Sequence, residues 1–82
     1  MSSLARQLFG DRRDPREELA TIFDVPVPDG GDIPREPLLW ARARLAEANI
    51  EDPVAAIHEL RKSEPRLSLK TATYLAERAL AT

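Results

Sequence analysis

His58 is the only histidine in the chain, and cysteine is absent. A metal or catalytic role for the imidazole requires partners at fixed spacing, and the nearby carboxylates Glu59 and Glu64 supply neither a nucleophile nor a second ligand. The adjacent acids Glu17-Glu18 and Glu51-Asp52 fall at expected helix starts, where the helix dipole favours negative charge, so they read as capping chemistry rather than a catalytic pair. Asp29-Gly30-Gly31-Asp32 lacks the alternating ligand series of a calcium loop, since the position of its closing acid is taken by Trp40, and it has no lysine for a phosphate. This inventory predicts a non-enzyme with no metal, no cofactor and no small-molecule substrate.

What remains is positive charge arranged on helical faces. His58, Arg61 and Lys62 are i, i+3 and i+4 neighbours, and Lys70, Tyr74 and Arg78 recur every four residues farther on. A basic stripe interleaved with tyrosine can meet an acidic protein surface, or phosphates with a stacked base. The same residues also fit an ordinary solvated face whose Lys and Arg stems cover a thin core. With 12 basic and 14 acidic side chains the net charge is -2, which argues against binding a polyanion by bulk electrostatics. The expected partner is therefore a protein, a second copy of the chain included, with nucleic acid as the alternative. Reversing Arg61 and Lys70 to glutamate is expected to leave folding nearly intact, because exposed charges contribute little to stability.

The elements that must carry these residues are helices. Ser2 or Ser3 can cap a helix near residues 3 to 9, which Gly10 ends. Asp14-Pro15 supplies a cap and a proline at the first helical position, opening a helix over 15 to 23 that buries Leu19, Ile22 and Phe23. Residues 25 to 36, with three prolines and Gly30-Gly31, form a linker. A third helix over 37 to 48 places Leu38, Ala41, Leu45 and Ala48 on one face and leaves Trp40 off it, to be covered by the linker or an N-terminal helix. Asp52-Pro53 repeats the cap-plus-proline signature for a helix over 53 to 63, with Val54, Ile57 and Leu60 inward. Ser68 caps the last, over 69 to 80, with Leu69, Ala72, Leu75, Ala76 and Ala79 as its apolar side.

The fold class expected is thus all-α: a single domain over 1 to 82, a small bundle of about five short helices ending in a helical hairpin, with no sheet. Ile57, Leu60, Leu69, Leu75 and Leu45 should pack together. Leu8, Phe9, Leu19, Ile22 and Phe23 exceed what two short helices bury alone and should pack on the hairpin or on another chain. The opening residues lack the apolar run of a signal peptide and no segment approaches the ~20 apolar residues of a membrane span, so no membrane association and a cytoplasmic location are expected.

Ile57-His58-Glu59-Leu60-Arg61, then Leu67-Ser68-Leu69-Lys70-Thr71-Ala72, then Leu75-Ala76-Glu77, resembles the helix-turn-helix of the C-terminal domain of the bacterial ribosomal stalk protein. That motif reads I-K-x-V-R, then G-L-G-L-K-E-A-K, then V-E, and the likeness spans residues 54 to 77. In the family this helical face recruits translational GTPases. The resemblance implies a shared hairpin and a shared binding face, with Arg61 and Lys70 at two basic positions and His58 in place of a lysine. Both glycines of the family turn are lost, the connection is one residue longer, and the strands that complete the family's α/β fold have no counterpart after the second helix. A ribosomal stalk subunit is therefore not implied.

Overall fold

The computed structural model describes residues 14 to 81. Among the described residues there are four α-helices, Pro15–Phe23 (α1), Arg35–Glu47 (α2), Pro53–Ser63 (α3) and Leu69–Leu80 (α4), with a 3-10 turn at Asp29–Gly31 between α1 and α2 and no strand. The protein is all-α. The helix expected over 3 to 9 lies outside the described residues, as do Leu8 and Phe9.

Local chemistry explains each boundary. Asp14 caps α1 by accepting from the Arg16 backbone N–H at 2.9 Å, and Pro15 follows at the first position. That N–H, then the Arg16 side chain and more weakly the charge of Lys70, hold the Asp14 carboxyl below its ordinary 3.8. Asp52 caps α3 from the Ala55 N–H at 2.9 Å, again ahead of a proline. α2 ends in a Schellman arrangement: Asn49 takes a positive φ of 56°, its N–H reaches the Ala46 carbonyl, and Ile50 N–H reaches that of Leu45. Gly30 and Gly31 take φ of 79° and 85°, a backbone that side-chain-bearing residues rarely adopt, and so turn the chain between α1 and α2.

The last helix is the hub, packing on all three others, with its closest association to α3. Its inward face is Thr71, Ala72, Leu75, Ala76 and Ala79. Leu19 from α1, Ala41 and Leu45 from α2, and Ala56 and Leu60 from α3 meet it in one core, where five alanines let helix axes approach closely. Phe23 covers Trp40 edge-on, with ring centroids 5.2 Å apart. The expected contribution of an N-terminal helix to Trp40 thus comes from α1.

Three core assignments made from sequence are corrected. Val54 is 74% and Leu69 59% exposed, and Ala48 is exposed as the C-cap residue of α2. On α3 the buried line is Ala56 and Leu60, an i, i+4 pair, which turns Val54 away from the core. On α4 the buried face is centred on Leu75 and Ala79, so Leu69, at the first helical position, projects past the packed region. Its place is taken by Leu67, 1% exposed, which precedes the Ser68 cap and packs in the same core as Ala72, the arrangement of a hydrophobic staple. On α2 the helix begins at Arg35 rather than near 37, and Pro37 is buried on the Ala41–Leu45 face.

Ser68 accepts from the Thr71 N–H at 3.2 Å, as an N-cap should, but position 71 is not the glutamate that would reach back to the cap residue. Glu18 of α1 supplies that carboxylate from across the fold, accepting from both Ser68 N–H at 3.2 Å and Ser68 Oγ at 2.9 Å. In return Arg66 Nη2 donates to the Ile22 carbonyl at the end of α1, at 3.4 Å. The first helix and the loop before the last helix therefore cap one another. Glu18→Ala should lower stability by about 1 to 3 kcal/mol, because it strips the acceptor from two half-buried donors, while Glu18→Gln should retain most of the wild-type value in urea denaturation. Equal losses from both would show that the acceptor oxygen is not what matters.

Candidate functional site

The two most exposed large aliphatic side chains among the described residues, Val54 and Leu69, line one groove. Val54 and Leu69, with Ile57 and Pro65, form the apolar part of a groove of about 610 Å³ between α3 and the start of α4. Its remaining wall is basic: His58, Arg61 and Lys62. Each helix contributes for a local reason. Asp52-Pro53 sets the start of α3 so that Val54, Ile57, Arg61 and then His58 and Lys62 spread across its outward face. The Ser68 cap sets the start of α4, and Leu69 at the first position then overhangs the groove.

The acids that flank the basic triplet in sequence, Glu59 and Glu64, are already engaged. Glu59 pairs with Arg44 of α2 at 3.6 Å and accepts from Ser63 Oγ at 3.2 Å. Glu64 pairs with Arg66 at 2.9 Å, and the Arg66 guanidinium, then its backbone N–H, hold the Glu64 carboxyl below its ordinary value. No carboxylate pairs with Arg61 or Lys62 among the described residues. The groove is thus apolar at its base and net positive at its rim.

The structure divides the six residues expected to form one basic face. His58, Arg61 and Lys62 line the groove, whereas Lys70, Tyr74 and Arg78 lie outside it. Lys70 sits near Asp14, on the α1 side of α4. Arg78 lies over the Tyr74 ring, 5.0 Å from its centroid, so one ring face is already occupied. Arg61, although exposed, donates from Nε to the Leu67 carbonyl at 3.3 Å and so ties the α3–α4 turn. Reversal of Arg61 would therefore strain the turn as well as change the charge, and Lys62 is the rim cation free of such a bond among the described residues. Val54 and Leu69 were missed as site residues because an aliphatic side chain at helical spacing reads as core. The signal in the sequence was their position, each in the first turn beside a cap, where a side chain can overhang its partner helix.

A second hollow, of about 540 Å³ between the ends of α2 and α4, mixes Arg42 with Glu51 and has no consistent charge. No group of three or more His, Cys, Asp or Glu side chains positioned to hold a metal occurs among the described residues. No helix among them is long and apolar enough to cross a membrane. Comparison with known proteins gives no match: no family model, no curated protein and no solved structure matches this chain.

Proposed function

We propose that this chain is a non-enzymatic protein–protein interaction module that docks its partner in the α3–α4 groove. The observation that carries the reading is the pair Val54 and Leu69, 74% and 59% exposed and lining one groove with the basic side chains of α3. Exposing aliphatic surface costs free energy in the isolated protein, and contiguous apolar surface ringed by polar groups is the common form of a protein-binding site. The resemblance to the stalk hairpin adds support, because Ile57, His58 and Arg61, which fall at matching positions, all line the groove. Lys70 does not. We read the chain as a small helical bundle closing on a helical hairpin, and we place the protein in the cytoplasm.

Recognition of nucleic acid is the weaker reading. Only Arg61 and Lys62, with the imidazole of His58, line the groove's polar wall, and the tyrosine that could stack a base lies outside it beneath Arg78. Affinity capture with immobilised wild-type protein, Val54→Ser/Leu69→Ser and Lys62→Glu separates the readings. The wild type should retain a protein partner at moderate salt, and both variants should lose it while keeping the wild-type melting temperature. A partner retained equally by all three would remove the groove as the docking site. A bound nucleic acid released log-linearly with salt would reverse the choice of partner class.

A further inference from the structure

We infer that the occupant of the α3–α4 groove is an acidic amphipathic helical segment of another protein. The inference rests on the proposed docking role of the groove and specifies its partner. From Val54 to Lys62 the groove follows α3 for about 12 Å at 1.5 Å per residue, the length of two to three turns of a bound helix. A floor of Val54, Ile57 and Leu69 takes an aliphatic ridge with i, i+3/i+4 spacing. Arg61 and Lys62, with no carboxylate partner among the described residues, call for negative charge beside that ridge. A basic segment would meet repulsion at the rim, and an uncharged one would bury cations without a counter-charge.

His58 stands on the same wall. The charged groups beside it are Arg61 and Lys62 of its own helix, and the residues lining the groove from the turn and from α4 are apolar, Pro65 and Leu69. Among the described residues no carboxylate lines the groove, so an acidic segment meets no repulsion along this wall.

The test uses the full chain and three fluorescent probes: a helical peptide of about three turns with a leucine ridge flanked by glutamate, its counterpart with lysine for every glutamate, and a single-stranded oligonucleotide. Anisotropy should show the acidic peptide binding and the lysine peptide not. Amide shifts should map the contact to Val54, Ile57 and Leu69. Lys62→Glu should weaken binding of the acidic peptide about two- to fivefold or more, the worth of one exposed ion pair. Preference for the lysine peptide, mapped to the same groove, would overturn the acidic occupant and leave the docking role standing. Failure of both peptides would likewise overturn the acidic occupant, with the docking role still decided by capture with the Val54 and Leu69 variants. Acidic-peptide binding unchanged in Lys62→Glu would overturn the charge pairing and with it the acidic occupant. Oligonucleotide binding with a steep log-linear salt dependence would overturn the inference and the protein-binding reading together.

Discussion

Leu60→Ala is expected to cost about 2 to 5 kcal/mol of folding stability. The side chain is fully buried at the centre of the contact between α3 and α4, among Ala56, Leu67, Ala72 and Leu75. Its neighbours include many alanines, which have no rotamers with which to fill a vacated volume, so the cavity term should persist. A domain of this size holds only roughly 4 to 12 kcal/mol in total. The variant should therefore unfold at a much lower urea concentration, with an unchanged slope if the transition stays two-state. A loss below about 0.5 kcal/mol, the size of an ordinary surface change, would contradict the burial of Leu60.

Leu67→Ala and Leu69→Ala, two residues apart and chemically identical, should differ severalfold in effect. Leu67 is 1% exposed and packs in the core ahead of the Ser68 cap, so its truncation should cost about 2 to 5 kcal/mol. Leu69 is 59% exposed over the groove, so its truncation should cost less than about 1 kcal/mol while weakening partner binding. Chemical denaturation of the two variants checks the order. If Leu69→Ala proved the more destabilising, the groove would lose its apolar floor and the turn before α4 would be wound differently.

That pair also marks where the sequence was legible and where it was not. Caps with side-chain signatures were readable: Asp14-Pro15, Asp52-Pro53 and Ser68 each open a helix where they predict one. So was the basic triplet on α3, whose spacing puts His58, Arg61 and Lys62 on one wall whatever α3 packs against. The rotation of a helix about its own axis was not readable in its first turn. There an apolar residue either enters the core or overhangs the partner, and the choice depends on where the neighbouring helix ends. Val54 and Leu69 both overhang, and the two errors together conceal the groove. The unity of the six-residue basic face failed for a related reason. Periodicity places Lys70, Tyr74 and Arg78 on one face of α4, but only packing reveals that this face lies outside the groove, with Lys70 near Asp14.

The exchange of caps between Glu18 and Ser68, and between Arg66 and Ile22, joins residues that are 50 and 44 positions apart in the chain. Were α1 to swing out on the linker, the start of α4 would lose the carboxylate that receives its cap, and the end of α1 would lose its guanidinium in the same event. Neither helix can fray alone at these ends, so peripheral α1 belongs to the same cooperative unit as the central α4. The groove inherits this coupling, because Leu69 is the residue after Ser68 and Arg61 is tied to the carbonyl of Leu67. A ligand seated on Leu69 would slow the opening of a helix it never touches, and protection of the α1 amides from hydrogen exchange would serve as a remote gauge of occupancy.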